Sequence, residues 1–276
     1  MQRKPLEVSL YVAGAGAFGV FLRWMQDQLA FNEAGLVDKS AFNVLVPLFV
    51  AAACLVFRSF LRQEERQGVT VPADFDLALF QQGRLLPLAC RLAGAMMVVG
   101  AMLLFASSET DKLVRHLRVL AGFGALTGIC FPLLLAQVDR ERKGPGLLCW
   151  LSFVPILFFA IWLVYTYRAN SINSVIWAYV LEMATVSMAM GAFFRLAGYA
   201  FGSPNAHKAR FDAMITATLC IMCLADERYL GMHVMLLATA AMLILENWIL
   251  MDNRMEPERE EKEEKPKHRD GFEHLN

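Results

Sequence analysis

The chain has 276 residues, 57% of them hydrophobic, with 26 basic and 26 acidic side chains and a formal net charge of zero. A balanced charge offers no field to draw the chain onto a phosphate backbone, so nucleic-acid binding is excluded. The apolar fraction exceeds the roughly 45–50% usual in soluble domains, and the excess is gathered into runs; at a mean hydropathy of +0.43 most of the polypeptide has hydrocarbon as its solvent.

A helix needs about 20 residues to cross roughly 30 Å of hydrocarbon. Runs of that kind predict spans at 7–23, 41–61, 85–106, 116–136, 146–166, 172–198, 206–225 and 230–251. The expected fold is an all-α polytopic transmembrane helical bundle over residues 1–251, with about eight spans and seven as the fallback. The seventh run is the weakest, because it is cleanly apolar only from Ala213 to Ala225 and reaches spanning length only by starting near Ser203-Pro204-Asn205.

In the first span, Arg3 and Lys4 precede an apolar run containing Ala13, Ala15 and Ala17, the elements of a cleaved signal. Those alanines sit inside the run rather than after it, so an uncleaved span is expected. Gly14-Ala15-Gly16-Ala17-Phe18-Gly19 matches the dinucleotide-binding pattern, but that pattern works only where a strand feeds a helix and a second strand follows. Another span follows here, and the glycines read as a face for close helix packing. Gly124 with Gly128, Gly198 with Gly202, and Ser187 with Gly191 carry the same small-residue spacing.

Between spans, Arg23 to Leu36 reads as an ordered or interfacial loop, and Val71 to Phe80 as a short amphipathic helix lying on the bilayer. Ser107 to Asp111, Asp139 to Pro145 and Asp226 to Arg228 read as compact charged punctuation. The tryptophans Trp24, Trp150, Trp162, Trp177 and Trp248 all fall within about two turns of a span end, the depth that indole prefers. Residues 252–276 read as a charged, disordered cytoplasmic tail.

Lysines and arginines favour one side: that of Arg58, Arg62, Arg66, Arg140, Arg142, Lys143 and the tail outweighs that of Arg23, Lys39, Lys112 and Arg168. By the positive-inside rule both termini are cytoplasmic.

The six cysteines lie in or at the edges of spans, and Cys220 with Cys223, the close pair, lacks further ligands nearby. They read as packing residues, and no metal is expected. Zinc-protease, nucleophile-elbow and P-loop motifs are missing. No catalytic residue and no cofactor are assigned, and enzymatic activity is disfavoured.

Ionisable groups inside spans carry the functional expectation, since a charge at a helix centre costs at least about 2.5–3.5 kcal/mol. They are Arg91, Glu182, Arg195 and Glu246. At 1.5 Å per residue, Arg91, Arg195 and Glu246 share one layer on the inner side, as gate or network residues of a carrier or as a structural bridge from Glu246 to Arg91 or Arg195 helped by Asn247, with snorkelling of the arginines to headgroups as a further alternative. Glu182 is expected alone near the midplane, as a proton-linked carrier's coupling carboxylate would be.

The pattern Gly16-x-x-Gly19-x-x-x-Arg23-x-x-Gln26-x-x-x-Ala30-Phe31-x-x-x-Gly35-Leu36 resembles the opening of a group of bacterial multi-pass membrane proteins with no assigned activity. The resemblance covers about the first 40 residues, implies a bacterial inner-membrane home and supplies no catalytic residue. The leading expectation is a permease or permease-like component for a small solute or ion. The alternative is a non-catalytic scaffold, sensor or assembly subunit. The lipid bilayer is the partner on either reading, with a second copy or another membrane protein as a further partner through the glycine faces.

Overall fold

The computed structural model describes residues 4–29, 41–81, 83–110, 117–135, 145–170 and 179–255. These form α1 (Pro5–Leu29), α2 (Phe42–Arg66), the single turn α3 (Phe75–Ala78), α4 (Leu85–Thr110), α5 (Leu117–Leu135), α6 (Pro145–Asn170), α7 (Val180–Ala200), α8 (Ala206–Met222) and α9 (Leu230–Asp252). Among the described residues the sole extended pairing is a bridge between Thr70 and Met255. Seven helices, α1, α2, α4, α5, α6, α7 and α9, are long and apolar enough to cross a membrane. The chain is a multi-pass, all-α integral membrane protein.

The eighth long helix, α8, explains why its span was the weakest in the sequence. It has 17 residues, continued by a 3-10 turn at Cys223–Ala225, and is packed on α1, α2, α7 and α9. Enclosed by protein, it needs no apolar surface for lipid and can carry Arg210, Asp212, Thr216 and Thr218. Its Asn205 cap accepts from the Lys208 amide at 3.1 Å, which fixes where it starts. Threonines on the inner helices are satisfied locally: Thr185, Thr218 and Thr239 each donate to the carbonyl four residues earlier. Helix α9 lies beside α8 and is likewise mostly enclosed.

The start of α1, the end of α2 and the end of α9 lie at one end of the bundle, here the terminal end. Thr70, just past α2, exchanges both backbone hydrogen bonds with Met255, just past α9. Asn253 donates to the carbonyls of Ala78 and Phe80 at 2.9 and 2.7 Å. Residues 253–255 are therefore fastened to the bundle, while 256–276 lie outside the described residues.

The glycines divide into seams and turns. A Cβ on Gly16 would stand 2.7 Å from Ile221, so α1 and α8 touch through the dinucleotide-like motif. A Cβ on Gly128 would stand 2.6 Å from the Gly94 carbonyl oxygen, and one on Gly231 2.6 Å from that of Gly100, so α4 meets α5 and α9 backbone to backbone. Gly198 and Gly202 are no interhelical seam: Gly202 has φ of +71° and Ser203 donates to the Gly198 carbonyl at 2.8 Å, which ends α7. Ser187 and Gly191 are not a seam either, since Ser187 is exposed and a Cβ on Gly191 would meet nothing.

Several predicted boundaries move outward because polar residues at helix ends still continue the hydrogen-bond ladder. Helix α1 runs on to Leu29, so Arg23 and Gln26 are helical and buried rather than part of a loop. Ser107 to Thr110 complete α4 instead of punctuating it; Ser108 donates to the Phe105 carbonyl at 2.7 Å. The segment 71–80 keeps only the one turn of α3, with Phe75 buried and Leu77 exposed. Trp162 offers no indole face to the headgroups. It is fully enclosed, stacked near Phe159 and edge-on to Phe158. The connection 139–144, the loop 30–40 and Trp177 lie outside the described residues.

Candidate functional site

The buried charges form two clasps, one at each end of the bundle, and a carboxylate between them belonging to neither. Glu182 opens the first clasp. It lies in the first turn of α7, where the helix dipole favours an anion, and is 2% exposed. Trp162 of α6 donates to one carboxylate oxygen at 2.7 Å, and the Arg228 guanidinium, from the connection before α9, pairs with the other.

Arg228 then donates to Asp226 at 2.9 Å, and the second Asp226 oxygen accepts from Nε of Arg23 at 2.7 Å. From Arg23 the chain passes to Gln26 at 2.6 Å and on to Asn43 at the start of α2 at 2.9 Å. His233 adds a contact to the Asp226 carbonyl at 2.8 Å. Burial alone would lower the Arg228 pKa, but the carboxylates of Glu182 and Asp226 hold it above its ordinary value and keep it a cation. One network thus ties α1, α2, α6 and α7 to the 226–229 connection at the distal end.

This corrects the expectation of a lone midplane Glu182. The apolar residues before it suggested a helix beginning at 172, which would have carried Glu182 deep; α7 begins at Val180 and places it at the end of the bundle. Its cation comes from Asp226-Glu227-Arg228, which reads in sequence as loop punctuation but folds inward.

The second clasp lies at the terminal end. Glu64, in the last turn of α2, receives both Nη groups of Arg210 from α8 and Nη1 of Arg254 at 2.7 Å. Nε of Arg210 donates to Asn247 on α9 at 3.1 Å, and Nε of Arg254 to the Met251 carbonyl at 2.7 Å. Burial lowers the Arg254 pKa below its ordinary value, with Glu64 working against that shift. Glu64 thus meets two arginines, and Asp252 also acts on Arg254.

Glu246 stands apart from both clasps. It is 0% exposed, and among the described residues neither of its carboxylate oxygens has a hydrogen-bond partner. The Tyr199 hydroxyl, on which Glu246 acts electrostatically, is also buried without a partner. Asp212 of α8 acts on Glu246 in turn and is itself paired with Arg195 at 3.4 Å. An ionised carboxylate in such a place would keep none of the hydrogen bonds it has in water, so the site suits the neutral acid.

The expected bridge from Glu246 to Arg91 or Arg195 is absent. Arg91 points off α4 and is exposed, and among the described residues it makes no ion pair. About 9 Å inside its helix end, it can reach the headgroups by extending its side chain. Arg195 is taken by Asp212 because α7 and α8 pack side by side, while Asn247 serves Arg210 rather than Glu246.

Sequence reasoning passed over Arg23, Glu64, Arg210, Asp212, Asp226, Arg228 and Arg254. Arg210 and Asp212 fell within the seventh predicted span and could have been weighed with the other intramembrane charges. The pairing of Glu64 with Arg210, 146 positions apart, leaves no local trace.

The arrangement is a buried acid without hydrogen bonds among the described residues and an ion-pair network at each end of the bundle. Among the described residues no three His, Cys, Asp or Glu side chains are grouped to hold a metal ion, and the six cysteines are free thiols. Comparison with protein-family models, curated proteins and solved structures finds no match.

Proposed function

We propose that this membrane protein is a permease-like carrier of a small solute or ion, coupled to protons through Glu246 rather than Glu182, in a bacterial inner membrane with both termini cytoplasmic. The observation that carries the reading is the fully buried carboxylate of Glu246 on a central helix, which has no hydrogen-bond partner among the described residues. A carrier needs an acid that changes protonation as its surroundings change, and a partnerless acid between two charge clasps meets that need. The clasps are the natural closures: opening the distal one frees the contacts of Asp226 and Arg228, and opening the terminal one frees those of Glu64. The excess of Lys and Arg on the terminal side supports the sidedness.

The test is proton movement in proteoliposomes loaded with a pH-sensitive dye and challenged with a panel of amino acids, sugars, organic anions and monovalent cations. At least one solute is expected to change the internal pH with the wild type, and Glu246→Gln to abolish that change. No response to any solute argues against a carrier, and an unaltered response in the variant removes Glu246 from the mechanism.

A second reading, an assembly subunit, has one feature in its favour. Between α1 and α2 lies a groove of about 340 Å³ with Gly14, Ala15, Ala52 and Ala53 among its lining, and a Cβ on Gly14 would meet nothing. Small residues open to the bilayer are where another helix can approach closely. A stoichiometric partner in mild detergent, without solute flux, would favour it.

A further inference from the structure

We infer that the groove between α6 and α7 near the terminal end binds an anionic phospholipid, with Arg195 receiving the phosphate and the apolar walls holding an acyl chain. The inference does not depend on transport and stands whether or not Glu246 carries protons.

The groove encloses about 470 Å³, within the usual size range of ligand sites. Its walls are Phe153 and Ile156 of α6, Phe194 and Ala197 of α7, and Phe201 just past the end of α7. Phe153, Phe194 and Phe201 have large exposed faces, on the outside of a bundle whose surroundings are hydrocarbon. Such walls suit an acyl chain and offer nothing to a free polar solute.

Polar groups gather toward the terminal end, where Arg195, Ser203 and Asn205 line the same groove. Arg195 lies five residues before the end of α7, about 7.5 Å by helix rise, a distance that a guanidinium on its extended stem can cover to meet a lipid phosphate. Its side chain is 38% exposed while that of its partner Asp212 is 19% exposed, so the guanidinium is the outer member of the pair. Only Nε contacts Asp212, and among the described residues the two Nη groups donate to nothing. A planar guanidinium with both Nη groups available matches two phosphate oxygens. Lys208, exposed on the first turn of α8 and acting on Asp212, leaves the cluster with one net positive charge. Charge and shape therefore select a lipid with an anionic headgroup over a zwitterionic one.

The experiment uses full-length protein carrying Phe194→Trp in nanodiscs, with acyl-brominated phosphatidylglycerol or acyl-brominated phosphatidylcholine as quencher. The parent's own tryptophan quenching is subtracted. With Arg195 present, the new tryptophan is expected to report an apparent affinity for phosphatidylglycerol about fivefold above that for phosphatidylcholine, the factor that about one cationic contact supplies. Arg195→Gln should bring the two lipids level, and Arg195→Lys should keep part of the preference. Equal quenching by both lipids with Arg195 in place, the mark of a merely annular lipid, overturns the proposal. So does a preference that survives Arg195→Gln. Should Arg195→Gln not fold, raised salt on the Arg195 protein decides: a headgroup preference that falls with ionic strength supports the site, and one indifferent to it does not.

Discussion

Two buried glutamates, Glu182 and Glu246, ask opposite things of their surroundings. Glu182 has Trp162 and Arg228 as partners, so Glu182→Gln leaves the Arg228 cation buried with only Asp226 to balance it. Breaking one side of a buried pair of this kind costs about 3 kcal/mol or more, and the double variant Glu182→Gln with Arg228→Gln should recover much of that loss. Glu246 has no hydrogen-bond partner to lose among the described residues. Glu246→Leu removes two unsatisfied acceptors, and the change in stability should stay within about 1 kcal/mol or be favourable. Unfolding of the four proteins in one detergent checks both statements: a large loss for Glu246→Leu would mean that its carboxylate has a partner. The sequence made the existence of these acids legible, because a carboxylate in an apolar run is conspicuous. Their partners were not, since Arg228 lies in a charged triplet that composition alone assigns to solvent, and Glu182 changes depth with the residue at which its helix begins.

Helices were legible where their surroundings were lipid, and least where they were protein. A lipid-facing helix must be apolar on its outer face, so α2, α4, α6 and the others announce themselves as long hydrophobic runs. Helix α8 is shielded by four neighbours, is under no such demand, and looked marginal for that reason. Small-residue spacing was a weaker guide. It found the contacts of Gly16 and Gly128, yet the same spacing at Gly198 marks a helix end and at Ser187 and Gly191 an open surface, since spacing reports that backbones can approach and not that they do. The difference is measurable. Gly128→Ala must push its methyl group against the Gly94 carbonyl and should destabilise the α4–α5 pair by about 1–3 kcal/mol, whereas Gly191→Ala meets nothing and should be neutral or slightly stabilising. Thermal unfolding of the two variants side by side reads this, and equal effects would mean that the α4–α5 backbone contact is not as close as described.

At the scale of the whole molecule the charge clasps and the distribution of Lys and Arg make one linked statement about sidedness. The terminal end has Glu64, Arg210 and Arg254 at its centre and Arg58, Arg62 and Arg66 on the α2 segment around it, while the distal end sets Arg23 and Arg228 against Asp27, Glu182 and Asp226. Cytoplasmic segments hold their excess of basic residues because those residues resist translocation, and the proposed sidedness, with the terminal end inside the cell, follows from that rule. Two exposed acidic positions report the ends without disturbing either clasp: Glu65, beside Glu64 but pointing outward, and Glu227, between the two clasp residues of the distal connection. In intact cells, Glu227→Cys should react with a membrane-impermeant maleimide and Glu65→Cys only after permeabilisation, against the low background of six native thiols that are buried or half-buried. Labelling of both from one side would break the eight-helix path, because an odd number of crossings between α2 and the α8–α9 connection is what sets the two positions on opposite faces. Labelling in the reverse order would leave the path intact and invert it, putting the Glu64 clasp and the Arg195 groove in the outer leaflet.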